Sequence, residues 1–303
     1  MHSAITIFSA LALFVVSVSG AEAGQKKFHQ TYQVTPGGKF TLETDCGSLR
    51  IVGTSDKAVS VTADIEGRDK DVAGFEVTAA QQGNDVVVKG KQEKQGSWFR
   101  NWSSELDVKF TVQVPRQYIL RLNTSGGDVN ISSIEGSVSG ETSGGNVSIS
   151  EVKGDAEFST SGGNITVDKS SGKIHMETSG GNINVTEVSG IVIMGTSGGH
   201  VNISAVEGKV QAKTSGGNVL VKIKGENKGV YAETSGGNIM IEVPRNFAAT
   251  IEAGTNGGTV QCDLPVTMNG KFDMERINGT INGGGSLIHA YTSGGNVWIK
   301  GVE

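Results

Sequence analysis

The sequence predicts an all-β solenoid (β-helix) with about eighteen residues per coil and an N-terminal β cap. Three observations carry this: a motif at a fixed interval, apolar alternation on either side of it, and glycine at the corners. Thr-Ser-Gly-Gly begins at Thr124, Thr142, Thr160, Thr178, Thr196 and Thr214, each start eighteen residues after the last. It recurs at Thr234, weakens to Thr-Asn-Gly-Gly at Thr255, reads Arg276-Ile-Asn-Gly, and returns intact at Thr292. Ten units in sequence order are expected.

Counting from each Thr, offsets +5 and +7 are apolar, as in Val147/Ile149, Ile165/Val167, Ile183/Val185 and Val297/Ile299. Alternation of this kind describes a strand with one buried face. Offsets −4 and −2 repeat the pattern in Ala156/Phe158, Ile174/Met176, Val192/Met194 and Phe272/Met274, so each unit holds a second strand. Gly136, Gly154, Gly172, Gly190 and Gly208 close the connection between the strands, where glycine supplies positive φ. Ser-Gly-Gly makes the other corner. Stacked at about 4.8 Å, such coils place residues eighteen apart side by side, and neighbour contacts supply the stability that no single coil has.

The residue after the glycine pair is Asn146, Asn164, Asn182, Asn218 and Asn238, with Asp128, His200, Thr259 and Asn296 in other units. Asparagines repeated at one corner predict a structural ladder of side chains bonded along the axis. Asp128 alone does not make a calcium site, and the five histidines share no metal-ligand spacing, so no metal or cofactor is expected. The eight Asn-x-Ser/Thr sequons, such as Asn130 and Asn278, are a by-product of a repeat rich in these residues.

The flanks read differently. Residues 5 to 18 are apolar and precede Ala21-Glu22-Ala23, the pattern of a signal peptide over residues 1–23, although no Lys or Arg stands before it. The mature protein is expected to be exported: periplasmic, cell-surface or secreted. Its removal takes one of 31 acidic residues and none of the 26 basic ones, and the mildly acidic remainder excludes nucleic acid as partner. Residues 24–122 hold strands near 58–66, 74–80, 85–91 and 106–114 without the repeat register, an N-terminal β cap continuous with the solenoid of 123–303. Within it Thr44-Asp-Cys-Gly-Ser-Leu49-Arg-Ile51 resembles a degenerate unit.

Two cysteines in an exported chain invite a disulfide, but Cys46 and Cys262 fall in distant units. Cys262, at an inward offset, is expected to be a buried free thiol. Trp98 and Trp102 share a segment with Arg100, either as a partner contact or, the favoured reading, as a cover over the core's open end. Trp298 stands at an outward offset of the last unit and is a third candidate contact. A final coil ending the chain would leave strand edges unpaired, giving a route to self-association.

With the repeats, Val114-Pro-Arg-Gln-Tyr118, Val243-Pro-Arg-Asn-Phe247, Asp263-Leu-Pro-Val266 and Ile281-Asn-Gly-Gly-Gly285 in view, the chain resembles, from about residue 30 to 303, a bacterial family of exported β-strand-repeat proteins labelled "putative adhesins". The resemblance implies a β-helical fold and a surface or periplasmic location, and brings no catalytic residues with it.

Function is read from the outward offsets. Offset −1 (Glu141, Ser159, Glu177, Gly195, Lys213, Glu233) alternates in charge without placing acid beside base, and no nucleophile elbow, Walker loop or zinc motif occurs. The protein is expected not to be an enzyme. Offsets +6 and +8 present Asn130, Ser132, Ser148, Ser150, Thr166, Asn184, Thr186, Asn202 and Ser204, a polar strip that is either plain solvated surface or a face for carbohydrate or ice. The expected role is an adhesin-like or scaffold protein, with a cell-surface glycan or envelope protein as partner.

Overall fold

The structure, a computed structural model, describes residues 24–93, 106–268 and 273–303. Beyond one short helix, Asp69–Ala73, its regular elements are strands. They form two walls that face each other across one continuous apolar interior, a solenoid-like all-β arrangement. One wall, the upstream sheet, is built from strands that lead into each motif Thr; the downstream sheet is built from strands that follow the glycine pair.

Residues eighteen apart are direct partners in parallel register: Val147 pairs with Ile165 and Ile149 with Val167 downstream, and Ala156 pairs with Ile174 and Phe158 with Met176 upstream. All eight are buried. This alternation makes the interior because strand side chains point to opposite faces in turn. The row at offset −2 runs Leu42, Leu122, Gly140, Phe158, Met176, Met194 and then Ala212, Ala232, Ala290 and Ala253. Gly140 lies beside Phe158, whose ring carbons stand 2.7 and 2.8 Å from where a Cβ would project. The missing side chain of one unit is the space the next unit's ring occupies.

Two ladders hold the Gly-Gly corner. Each motif Thr is buried, and its hydroxyl donates to the carbonyl of the second glycine one unit away: Thr160 to Gly145 at 3.0 Å, Thr178 to Gly163 and Thr196 to Gly181 at 2.9 Å. In the units from Thr160 to Thr234, and at Thr292, the same oxygen accepts the N–H of its own unit's second glycine, as Thr178 Oγ1 does from the Gly181 N–H at 3.3 Å. That glycine is required by proximity, since a Cβ on Gly163 would lie 1.9 Å from the Gly145 carbonyl oxygen. Between the strands, Gly154, Gly172, Gly190 and Gly208 do take positive φ, whereas Gly136 is not among the positive-φ residues. Three residues before each of the five comes a left-handed residue that is not glycine: Ser133, Glu151, Lys169, Glu187 and Ala205 have φ of 60, 55, 46, 54 and 54°.

The N-terminal strands fall at Ala58–Glu66, Phe75–Gln82, Asp85–Gln92 and Asp107–Pro115, with Gln25–Gln33 in addition. Thr44 pairs with Thr124, Leu49 with Val129 and Ile51 with Ile131, so the outlying unit stacks directly on the first intact one. The next layer outward pairs Val86 with Phe40 and Phe110 with Leu49. Antiparallel strands Gln25–Gln33, Ala58–Glu66 and Phe75–Gln82 flank that layer.

The C-terminal end departs from sequence order. Strand Leu287–Thr292 lies between Val230–Thr234 and Ala249–Thr255, and Val297–Val302 lies between Ile239–Pro244 and Val260–Cys262. The last unit of the chain is therefore an inner layer with partners on both sides, which removes the unpaired edge from which self-association through it was expected. The Arg276 segment is not a stacked unit either: Arg276–Ile281 runs antiparallel to Ala249–Thr255, and Met274 is 63% exposed rather than inward. Ten stacked units remain, with Thr44 replacing Arg276 and Thr292 preceding Thr255 along the axis.

Candidate functional site

The corner residues expected as a ladder bond along the axis, by a route different from amide-to-amide stacking. Each side-chain oxygen accepts the backbone N–H of the equivalent residue in the next unit: Asn146 Oδ1 from Asn164 at 2.9 Å, Asn164 Oδ1 from Asn182 at 2.8 Å, and Asn218 Oδ1 from Asn238 at 2.8 Å. His200 fits because its Nδ1 accepts from the Asn218 N–H at 2.9 Å, and Asp128 fits because its Oδ1 accepts from Asn146 at 2.8 Å. The position needs only an acceptor, so amide, imidazole and carboxylate all serve.

The polar strip lies on the outer side of the downstream sheet in two adjacent rows. Asn130, Ser148, Thr166, Asn184 and Asn202 are successive partners, as are Ser132, Ser150, Asp168, Thr186 and Ser204. Asn202 Nδ2 donates to Asn184 Oδ1 at 3.0 Å, so part of the strip's hydrogen-bonding capacity is used internally. Trp298 stands on the same sheet, half-buried between Met240 and Gln261. Trp98 and Trp102 lie outside the described residues.

Cys46 and Cys262 are both free, and nine stacking steps put them roughly 43 Å apart. Cys262 is half-buried rather than buried, because its unit is the last of the downstream sheet and no further strand among the described residues covers it. Burial raises both thiols above their ordinary pKa, and Asp45 and Asp263 add to this at Cys46 and Cys262 respectively.

The outer side of the upstream sheet carries denser chemistry than offset −1 alone suggested, because offset −3 stands beside it. His175 there lies between two carboxylates, with Nδ1 3.5 Å from Glu157 and Nε2 3.1 Å from Glu177. A groove of about 790 Å³ runs along the Thr corner beside this group, past Ser125, Ser143, Ser161, Ser179 and Ser197. Lys213 and Glu233 are partners on adjacent strands, 3.1 Å apart, so acid and base do meet here, against the sequence-based expectation.

Around that pair the inserted last unit completes a second group. Tyr231 and His289 stack with ring centroids 4.6 Å apart and planes 13° from parallel, and the Lys213 Nζ sits 4.7 Å from the Tyr231 centroid on the ring face. The Tyr231 hydroxyl donates to Glu233, while His289 places Nε2 3.6 Å from Glu233 and Nδ1 3.7 Å from Glu252. Burial alone would raise the Glu233 carboxyl, but hydrogen bonds from Tyr231 and Lys213 and the positive charges of Lys213 and His289 outweigh it and hold it below the usual carboxylate range. The same hydrogen bond, with burial and the Glu233 charge, pushes Tyr231 up to about 12. Sequence reasoning missed Tyr231, Glu252 and His289; their shared offset of −3 is readable, but their adjacency needs the non-sequential order of units. No group of His, Cys, Asp and Glu among the described residues is arranged to hold a metal ion.

No curated protein matches the chain. Solved structures that resemble it include a "putative cell adhesion protein" of Clostridium sporogenes (15% identity, TM-score 0.24), a "putative adhesin" of Bacteroides fragilis (14%, 0.42) and a "putative lipid binding protein" of Parabacteroides distasonis (13%, 0.36). They cover 91, 93 and 91% of this chain and 100, 100 and 97% of their own. The Toastrack DUF4097 family model matches residues 38–300, and the chain belongs to that family.

Proposed function

We propose that the protein is an exported, non-enzymatic β-solenoid that serves the cell envelope as an adhesin-like scaffold. On this reading each eighteen-residue unit is one coil, residues 1–23 are a signal peptide, residues 24–122 are an N-terminal β cap continuous with the solenoid, and residues 123–303 are the repeat solenoid. The observation that carries it is the axial rows: outward residues of successive units stand one strand spacing apart on a stack braced by the Thr and corner ladders. Such a surface is preorganised to contact an extended partner at many weak points, which suits adhesion. No helix among the described residues is long and apolar enough to cross a membrane.

The partner is a cell-surface glycan or an envelope protein. The downstream strip suits carbohydrate better than ice, because Asp168 and the Asn184–Asn202 bond break the uniform hydroxyl lattice that ordered water would need. Fractionation of cells producing the tagged full chain, followed by binding of the purified protein to intact cells and a glycan array, tests the proposal. It requires an extracytoplasmic pool and measurable surface binding; a wholly cytoplasmic, non-binding protein contradicts it.

A further inference from the structure

The inserted last unit also creates a depression that no sequence motif announces. Across the C-terminal end of the upstream sheet, two outward rows run side by side. One reads Lys213, Glu233, Tyr291, Gly254, Arg276, and the other reads Gln211, Tyr231, His289, Glu252, Asn278. Gly254 alone among them has no side chain. The result is a hollow of about 570 Å³ over Gly254, walled by Tyr291, His289 and Glu252 on one side and by Arg276 and Asn278 on the other. That volume is in the range of small-ligand sites.

Its two walls differ in state. Glu252 lies 3.7 Å from His289, whose ring stacks on Tyr231 and joins the group that runs through Glu233 to Lys213. Arg276 faces them across the hollow, exposed, its side chain making no hydrogen bond or ion pair with any described residue. The Tyr291 ring lies over the floor, its Cδ2 3.3 Å from where a Gly254 Cβ would stand.

We propose that this hollow binds a uronate, a pyranose bearing a carboxylate, within an acidic polysaccharide; this rests on the adhesion reading above and names its ligand class. The Arg276 guanidinium takes the carboxylate, since its planar fork matches that group. The Tyr291 ring receives the C–H face of the sugar, and Asn278, Glu252 and His289 address its hydroxyls. A neutral sugar leaves the Arg276 charge unanswered. A polyphosphate brings several negative charges against Glu252 and Glu233.

The test uses the full chain, oligogalacturonate and oligoglucuronate as probes, their methyl esters as neutral controls, and the variants Arg276→Gln and Gly254→Val. Calorimetric titration is paired with cell binding, and circular dichroism checks folding. At least one acidic oligomer binds wild type, and binding falls at least about tenfold on esterification, in Arg276→Gln and in Gly254→Val, a loss equivalent to about 1.4 kcal/mol. Failure of both acidic probes, or equal binding by folded Arg276→Gln, overturns the inference. If both variants bind cells as wild type does, the hollow is not the adhesive site while the adhesion reading stands. Uronate binding without any cell binding supports the hollow and overturns the adhesion reading.

Discussion

Tyr231 and His289 come from distant parts of the chain and lie ring on ring, 4.6 Å between centroids, because strand Leu287–Thr292 is inserted beside Val230–Thr234. The network around them is thus a consequence of threading. Its protonation behaviour follows from its contacts. Tyr231 has a folded pKa raised to about 12 from an ordinary 10.0, so its contribution to stability is full below 10.0 and is lost as pH rises through about 12. Glu233 is lowered, so its contribution is present above the ordinary carboxylate value of 4.5 and is lost as pH falls through its folded pKa. Tyr231→Phe removes the first effect and weakens the second, which Lys213 and His289 still support. Tyrosinate absorbance should show one fewer late-titrating phenol, with Tyr118 remaining near 12, and the acid limb of the stability profile should move to higher pH.

The two glycines of each motif answer to different constraints. A Cβ on Gly163 meets the Gly145 carbonyl oxygen at 1.9 Å, whereas one on Gly162 meets nothing within 4 Å, and Gly162 is not among the positive-φ residues. Gly163→Ala is expected to cost several kcal/mol, since backbone, not a movable side chain, must give way. Gly162→Ala is expected to be neutral or to stabilise by about 0.4–1 kcal/mol through the unfolded state. Denaturant unfolding of the pair separates them.

The buried Thr hydroxyl is the hinge of each corner. Thr178→Val keeps the volume and leaves the Gly163 carbonyl and the Gly181 N–H without their partner, for a loss of about 1–3 kcal/mol, while Thr178→Ser retains both bonds and loses less. Thermal unfolding of the two variants checks the order.

A left-handed residue that is not glycine carries a backbone cost of about 1–2 kcal/mol, which Glu187→Gly relieves in the folded state. Part returns as glycine's greater freedom in the unfolded chain, so the expected net gain is below about 1 kcal/mol. A lower denaturation midpoint than wild type contradicts this.

The register was legible because the interior accepts only apolar side chains at alternate positions, and Ile149 and Val167 repeat that demand eighteen residues apart. The N-terminal strands were legible from the same alternation in Ala58–Glu66 and Asp107–Pro115. The order of the last units was not, because strand pairing depends on which faces fit rather than on chain order. One signal did exist. The motif at Thr292 is intact and ends in Asn296, so it stacks on the intact unit at Thr234, where the Asn296 N–H reaches Asn238 Oδ1 at 2.8 Å. The degenerate Thr255 unit, whose Thr259 lacks the amide, takes the outer place and, among the described residues, accepts nothing further along the ladder. Met274 was misread as inward because Arg276-Ile-Asn-Gly imitates the motif while its strand turns back antiparallel. The hollow over Gly254 was invisible for the same reason: Tyr291, Glu252 and Arg276 share no interval that a repeat would reveal.

Deleting residues 286–303 removes an inner layer and leaves the Thr234 and Thr255 units facing an empty slot. The truncated chain is expected to lose a single cooperative unfolding transition, and a peptide of residues 286–303 added in trans to restore it. Unchanged cooperativity without the segment contradicts the insertion.

Cysteine cross-linking tests the order of units most directly. In a background carrying Cys46→Ser and Cys262→Ser, the pair Met240→Cys and Trp298→Cys is compared with Met240→Cys and Gln261→Cys. Met240 and Trp298 are neighbours, whereas Gln261 lies one strand further on, about 9.6 Å from Met240 and beyond the roughly 7 Å that a disulfide spans. Mild oxidation should join 240 to 298 and leave 240 and 261 as free thiols; a disulfide between 240 and 261, with none between 240 and 298, contradicts the inserted last unit and every site built on it.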